Sequence, residues 1–234
     1  MLKRTLFVAG TDTGIGKTVF TGLLAKYLAG KGLSVVTQKW VQTGASPGEG
    51  DVAEHAEAMD GCGKLAEGLA GLTVPYSFRF PASPHLASAV EGKKIFPERI
   101  RECFLSLKKD FDIVLVEGTG GVLVPLTERD LAVDLVRELD LEVILVVGNR
   151  LGAINHALLS VEALRTRQVR VAGLVFNRFT QEDDDLILVD NRKIISRISG
   201  LPDLGEIPYE VCPAVRYGAF RGTGERVWER VYGR

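Results

Sequence analysis

Short, almost continuously apolar runs alternate with longer amphipathic stretches along this chain of 234 residues. Continuous apolar runs are typical of strands buried on both faces of a parallel sheet, whereas apolar residues three or four apart indicate helices. The predicted strands are residues 6–9, 34–37, 113–116, 143–147, 171–176 and 204–207. The predicted helices are residues 19–28, 97–107, 131–139, 153–166 and 185–198, with a further amphipathic helix in the tail from 216 to 234.

Strands that alternate with helices predict right-handed crossovers. We therefore expect an α/β fold: one doubly wound, mostly parallel sheet with helices on both faces. The segment 43–83 is predicted to be the least regular, with short helices near residues 51–59. The chain length fits one large domain, and we expect residues 1–234 to form it.

Charge and cysteine content exclude several classes of protein. Lys and Arg number 29 and Asp and Glu number 30, so a net charge of −1 gives no general attraction to nucleic acid or to an anionic membrane. The N-terminal apolar run is too short for a signal peptide, and no run is long enough to span a membrane. Cys62, Cys103 and Cys212 are too scattered for a disulfide framework or a metal site. We expect a cytoplasmic protein with reduced thiols that binds neither nucleic acid nor membranes.

Polar and glycine-rich residues follow the predicted strands. Ligands of open parallel sheets bind beyond the carboxyl ends of the strands, which all lie at one edge. The residues found there are 10–18, Lys39, 117–121, 148–149 and Asn177. The sequence therefore predicts a binding site at this edge.

The turn after the first strand is rich in glycine and ends in Gly16-Lys17-Thr18. Backbone N–H groups of such a turn and of the helix that follows can surround phosphates. Lys17 would reach the β and γ oxygens of a triphosphate, and the Thr18 hydroxyl could bind Mg²⁺. Five residues, rather than the usual four, separate Gly10 from Gly16. The pattern favours a variant P-loop, and hence a P-loop NTPase type of fold, over a glycine-rich turn with an incidental lysine.

Glu117 ends the predicted strand 113–116 and precedes Gly118-Thr119-Gly120. A carboxylate at the sheet edge that carries a P-loop is well placed to orient the metal of a nucleotide, and the glycines allow backbone to approach a phosphate closely. The alternative is a helix cap or a solvated turn.

Three other polar residues keep two interpretations each. Lys39 could belong to the predicted site, but its spacing alone favours a surface lysine whose stem covers apolar surface. Asp51 is a candidate second carboxylate, but its local sequence also fits a surface acid or a helix cap. Asn177 could cap a turn, or its amide could recognise an adenine edge. His85 and His156 are interpreted as structural.

In order along residues 3–210, the motifs resemble those of the dethiobiotin synthetase family. They are the nine-residue loop 10–18, Lys39 with Thr43-Gly44, Pro81-Ala82-Ser83-Pro84-His85, 116–121, 148–156, Asn177 and Gly205-Glu206-Ile207-Pro208. Trp40 departs from the family pattern, which commonly has Pro there, and Gly14 replaces a frequent acidic residue.

The resemblance implies an ATP-dependent ligase that forms dethiobiotin from 7,8-diaminopelargonic acid and CO2, with release of ADP and phosphate. One amine of the substrate captures CO2 as a carbamate, which ATP phosphorylates to a carbamic-phosphoric anhydride. The second amine then attacks this anhydride and closes the ring. The resemblance also implies Mg²⁺ as cofactor and a homodimer whose substrate site is shared across the interface.

The family's functional residues fall on matching positions of this sequence. The catalytic residues would be Lys17 and Lys39. Thr18, Asp51 and Glu117 would hold the metal. The ATP-binding residues would be Thr13, Gly14, Ile15, Gly16, Lys17, Thr18, Asp51, Glu117, Gly118, Thr119, Gly120, Asn177, Pro208 and Tyr209. The substrate-binding residues would be Thr11, Lys39, Thr43, Gly152, Ala153 and Asn155.

Two other functions compete with this one. The first is another P-loop ATPase, such as a partitioning ATPase or a cobyrinate-type amidase. A partitioning ATPase has a second lysine where this chain has Thr11, and an amidase needs a glutaminase domain for which the chain is too short. The second is an adaptor that binds nucleotide without turnover dependent on a diamine.

Overall fold

The computed structural model describes residues 4–46, 48–59, 68–180, 184–210 and 212–233, so Cys62 lies outside the described residues. The strands are β1 (Arg4–Gly10), β2 (Val35–Lys39), β3 (Val41–Thr43), β4 (Tyr76–Phe78), β5 (Ile113–Glu117), β6 (Glu142–Gly148), β7 (Val171–Asn177) and β8 (Asp203–Ile207). The helices are α1 (Lys17–Ala29), α2 (Asp51–Ala58), α3 (Ala70–Thr73), α4 (Pro84–Glu91), α5 (Pro97–Asp110), α6 (Ala132–Glu138), α7 (Ala153–Thr166), α8 (Asp185–Ser199) and α9 (Pro213–Tyr232).

The main sheet of the described residues has the strand order β2-β5-β1-β6-β7-β8, and every pairing in it is parallel. On one side of β1 the strands β6, β7 and β8 follow in chain order, whereas on the other side β5 lies between β1 and the outermost strand β2. Because β1, β2 and β5 are parallel, their carboxyl ends meet at one edge. This arrangement confirms the predicted doubly wound α/β fold of the P-loop type.

Residues of the strands alternate between two layers of helices. Leu6 and Val8 of β1 pack with Phe20 of α1 and Phe220 of α9 on one face. Phe7, between them, packs on the other face in a cluster formed by side chains of α5, α6, α7 and α8. Because each fully buried side chain of this size stabilises the fold by about 1.5–3 kcal/mol, both layers hold the sheet edge in place.

Every predicted strand and helix is present, with small differences at the ends. The expectation for 43–83 was incomplete, because it lacked α3 and the separate two-stranded parallel sheet of β3 and β4. Helix α4, which begins just after this segment at Pro84, was not predicted either. Strands of three residues are too short to produce a periodic pattern, and β3 pairs with a strand more than thirty residues away. Within the described residues, no helix is long and apolar enough to cross a membrane.

Candidate functional site

The loop between β1 and α1 turns sharply at two glycines. Gly14 and Gly16 have φ angles of 70° and 94°, in the left-handed region that glycine adopts at little cost. Helix α1 begins at Lys17, and no side chain of the described residues caps its N-terminus. The first N–H groups of a helix have no partner within it, so they are available to a phosphate group.

The Lys17 side chain is folded back across this loop. It is 6% exposed, and its Nζ donates to the backbone carbonyl of Asp12 at 2.6 Å. Burial, with the nearby positive charge of Lys39 as the second cause, lowers the pKa of Lys17 to about 8. A Cβ atom at Gly10 would lie 2.8 Å from Lys17 Cδ, so the room for this side chain depends on Gly10.

Glu117 is the most constrained acid of the described site. It is 1% exposed at the end of β5. Its Oε1 accepts from Lys39 Nζ at 2.8 Å and from the Thr18 hydroxyl at 3.1 Å, and its Oε2 lies 2.6 Å from His55 Nε2. Burial alone would raise the pKa of Glu117, but Lys39 and His55 outweigh it and hold this pKa well below its usual range. Glu117 is therefore an ionised acceptor, and His55 Nε2 donates to it.

Lys39 joins the two acids. It lies at the end of β2, is 4% exposed, and contacts the carboxylates of both Asp51 and Glu117 as well as the carbonyl of Gly118 at 2.9 Å. The interpretation of Lys39 as a surface lysine is therefore wrong. Burial opposes its charge, yet the two carboxylates raise the pKa of Lys39 above its ordinary value.

Asp51 is the first residue of α2, and its carboxylate faces Lys39. Burial raises the pKa of Asp51, and the negative charge of Glu117 adds to this in spite of the attraction to Lys39. The interpretation of Asp51 as an ordinary surface acid is wrong. Its N–H donates to Gln42 Oε1 at 3.1 Å, so a residue of β3 that the sequence did not indicate fixes the start of α2.

A cavity of about 240 Å³ lies between these groups. It brings together most of the residues predicted for the phosphate end of a nucleotide, with two predicted substrate residues. The lining consists of Thr13, Gly14, Ile15, Gly16, Lys17, Thr18, Lys39, Gln42, Thr43, Asp51, Glu117, Thr119 and Gly120.

Other predicted residues lie apart from this lining. The Asn177 amide donates to the Ile15 carbonyl at 3.0 Å, and a Cβ atom at Gly16 would collide with it, so Asn177 supports the loop from β7. Pro208 and Tyr209 follow β8. Gly118 after β5, Thr11 in the loop after β1, and Gly152, Ala153 and Asn155 at the start of α7 are likewise outside the lining. The binding roles of all the site residues stay predictions.

Trp40, which stands where the family commonly has Pro, is a core residue. It is buried, its ring lies 5.2 Å from the Phe7 ring, and its Nε1 donates to Gln38 Oε1 at 3.1 Å. Trp40 directly follows β2, so its packing against Phe7 of β1 helps to keep the end of β2 in place.

His55 is the site residue that sequence reasoning missed. It is completely buried on α2 and contacts Glu117 directly. A usable signal was present, because His55 follows Asp51 by four residues, and residues at this spacing share one face of a helix.

The donor set suits Mg²⁺. Thr18, Asp51 and Glu117 offer a hydroxyl and two carboxylates, which are the hard oxygen ligands that this ion prefers. The Lys39 ammonium lies between the two carboxylates, so the structure already places a positive charge there. Among the described residues, no three or more His, Cys, Asp or Glu side chains are grouped so that they could hold a metal by themselves.

Comparison with known proteins identifies the family of this chain. Residues 4–211 match the model of a family described as "AAA domain". The dethiobiotin synthetase of Chlorobaculum tepidum is 46% identical over 89% of this chain and 86% of its own length. That of Aromatoleum aromaticum is 42% identical over 88% of this chain and 91% of its own.

Solved structures show the same fold at low identity. The septum site-determining protein MinD of Pyrococcus horikoshii has a TM-score of 0.60 and 17% identity, and the match covers 96% of this chain and 95% of that one. A ParA family ATPase from Chlorobium tepidum has a TM-score of 0.56 and 16% identity, covering 95% and 92%. Identities this low show a common fold alone, whereas the curated relatives show the family. The chain belongs to the ATP-dependent dethiobiotin synthetase family.

Proposed function

We propose that this protein is an ATP-dependent ligase that forms dethiobiotin from 7,8-diaminopelargonic acid and CO2, with release of ADP and phosphate. The observation that carries the proposal is the buried contact of Lys39 with Asp51 and Glu117, at the cavity that the P-loop lines. A buried lysine at that place can stabilise the negative charge of the carbamate as well as that of the phosphate.

Phosphoryl transfer to a carbamate needs positioning and charge neutralisation more than covalent help from the protein. Thr18, Asp51 and Glu117 would hold Mg²⁺, which neutralises phosphate charge when bound. Lys17 would contact the β and γ oxygens. Lys39 would stabilise the carbamate and the negative charge that develops when its oxygen attacks the γ phosphorus.

In the proposed reaction of the carbamate with ATP, every bond that forms is matched by one that breaks, and no further reactant is needed. A carbamate oxygen forms a bond to the γ phosphorus while the bond from that phosphorus to the bridging oxygen of ADP breaks. The second amine then attacks the carbonyl carbon, loses a proton, and expels phosphate as the ring closes. Excluding water protects the anhydride, and a cavity lined by buried Lys39 and Glu117 favours such exclusion.

The remaining roles extend the proposal around the cavity. We propose that Asn177, Pro208 and Tyr209 line the adenine pocket, and that Thr11 and Thr43 contact the diamine. Gly152, Ala153 and Asn155 at the N-terminus of α7 would bind the substrate carboxylate in a partner subunit of a homodimer, since helix-end amides favour anions.

Two organisational proposals complete this picture. We propose that residues 1–234 form one domain, because Phe220 and Val227 of α9 pack into the same core as α1. A cytoplasmic location also stays a prediction. The free thiols of Cys103 and Cys212 are consistent with a reducing compartment.

The test is a reconstituted reaction. The purified protein with MgATP, bicarbonate and 7,8-diaminopelargonic acid should yield ADP, phosphate and a product with the mass of dethiobiotin. Omission of the diamine should abolish ADP formation. Folded protein that binds ATP but releases no phosphate in response to the diamine would contradict the ligase and support the adaptor.

A further inference from the structure

The proposed reaction uses Glu117 and Asp51 but leaves a neighbouring histidine without a role. His55 is 0% exposed, and its Nε2 lies 2.6 Å from Glu117 Oε2. Its other ring nitrogen, Nδ1, is buried with no hydrogen-bond partner among the described residues. An unpartnered buried polar atom lowers stability, and an apolar side chain would fill this space without that cost. A role beyond packing is therefore indicated.

The two oxygens of Glu117 have different neighbours. Oε1 accepts from Thr18 and Lys39, and both of these residues line the cavity. Oε2 is turned the other way, toward His55 on α2. The terminal torsion of a glutamate side chain is broad, so donors rather than rotamer preference must fix the plane of its carboxylate. His55 is the donor on the side away from the cavity.

Close packing fixes the histidine in turn. Helices α1 and α2 approach each other at Gly22, where a Cβ atom would lie 2.8 Å from Ala58 Cβ and 3.4 Å from His55 Cα. Thr18 belongs to α1, and Asp51 belongs to α2. The contact between His55 and Glu117 therefore ties β5 to the two helices that carry the other proposed metal ligands.

We propose that His55 is a positioning residue: its Nε2 donor holds the Glu117 carboxylate with Oε1 turned to the cavity, ready to bind a divalent cation together with Thr18 and Asp51. The inference rests on the proposed function for the identity of the cation site. Residues that orient metal ligands in this way typically change metal affinity by about 10- to 100-fold when they are replaced.

The test measures binding of Mn²⁺ in the presence of ADP, by electron paramagnetic resonance or calorimetry, in His55→Leu and His55→Gln. Leu fills the space but cannot donate, so we expect about 10-fold or greater loss of Mn²⁺ affinity. The Gln amide nitrogen is as many bonds from Cβ as His Nε2 and should restore most of that affinity. ADP affinity without metal should stay unchanged in both variants.

His85→Leu is the matched control, because His85 contacts Ser83 and lies outside the Glu117 cluster. Normal Mn²⁺ affinity in folded His55→Leu would overturn the proposal, as would an equal loss in His55→Leu and His55→Gln. If His55→Leu does not fold, His55→Asn replaces it: Asn is too short to reach Oε2, so it must bind Mn²⁺ more weakly than His55→Gln. Failure of the proposed function would appear separately, as wild-type protein without diamine-dependent ADP release.

Discussion

The phosphate end of the site and the start of α7 are built in opposite ways. At the phosphate end, Lys39 and Glu117 are almost completely buried, and each contacts oppositely charged groups of the same chain. Around the start of α7, Leu151 just before the helix is 86% exposed and Asn155 is exposed as well, and Leu159 in the middle of the helix is 61% exposed. One chain suffices to assemble the first region, whereas the second has apolar surface that a second subunit could cover.

The difference separates the groups proposed for phosphoryl transfer from those proposed to bind the substrate carboxylate. Charges taken out of water must be paired within the fold, so the groups proposed for phosphoryl transfer are preorganised before any ligand arrives. The region proposed to bind the substrate carboxylate carries little such preorganisation in a single chain. Variants in the two regions should therefore differ in what they change.

The largest effect should come from Lys39→Met. Turnover should fall by roughly 100-fold or more, because a charge that stabilises the transition state is lost. The buried Glu117 would also lose its ammonium partner while it faces the partly buried Asp51, which should cost about 3–5 kcal/mol of stability. Steady-state rates and thermal unfolding measure the two effects. Lys31→Met, at a half-exposed lysine paired with Glu225, is the control and should show neither.

Gly10→Ala should have the next largest effect. The new Cβ atom would lie 2.8 Å from Lys17 Cδ and 2.9 Å from Lys17 Nζ, so the lysine must move. We expect ATP affinity to fall about tenfold, equivalent to about 1.4 kcal/mol. Gly121→Ala is the control, since its Cβ would lie at an ordinary 3.6 Å from Thr11 O. Equal ATP affinities in the two variants, measured by calorimetry, would show that Lys17 tolerates displacement.

The double variant Leu151→Asp/Leu159→Asp tests the second region. Charges on this apolar surface should dissociate the proposed dimer and raise KM for the diamine about tenfold, while Mn²⁺–ADP affinity stays unchanged. Light scattering and steady-state kinetics measure these effects. Leu105→Asp on α5 is the control at a partly exposed leucine. A monomeric variant with normal KM would remove the partner subunit from the substrate site.

The last prediction concerns pH rather than a substitution. The pKa of Lys17 is lowered to about 8, so the group is protonated below this pH and loses its charge above it. A bound triphosphate favours the charged form, so metal-free ATP affinity should be constant below pH 8. It should then fall by up to about tenfold for each pH unit above 8. Lys17→Arg keeps its charge and should remove this dependence. A titration of ATP binding between pH 7 and 9.5 measures it.

The stability of the fold depends on pH in the opposite direction from ATP affinity. Between pH 8 and the pKa of an unfolded lysine, 10.5, the unfolded chain binds more protons at Lys17 than the folded chain does. Stability of the ligand-free protein therefore rises with pH across this window, as far as Lys17 contributes.

Sequence alone was sufficient for the main sheet and for the P-loop. Buried parallel strands leave continuous apolar runs in the sequence. Gly16-Lys17-Thr18 places a turn residue next to a cation for phosphate and a hydroxyl for Mg²⁺, so three adjacent residues indicate the P-loop. Such local signals do not report which distant groups will meet. For this reason β3 and β4 were missed, since their pairing depends on contacts across more than thirty residues.

The burial of Lys39 could likewise not be predicted from the residues next to it in the sequence. Lys39 is buried because Asp51 arrives from α2 and Glu117 from β5 to neutralise it. His55 escaped notice for a related reason: its role depends on a partner 62 residues later in the chain. Helical spacing from Asp51 was the available indication, and it acquires meaning only once α2 is known to face β5.

The ammonium group between Asp51 and Glu117 has a consequence for the order of events. A divalent ion that enters there competes with an internal counter-ion, so we expect ion entry and departure of the lysine from the carboxylates to be one exchange. Loading the site with metal would thereby release the lysine toward the carbamate, and catalytic charge would become available when the nucleotide complex is in place.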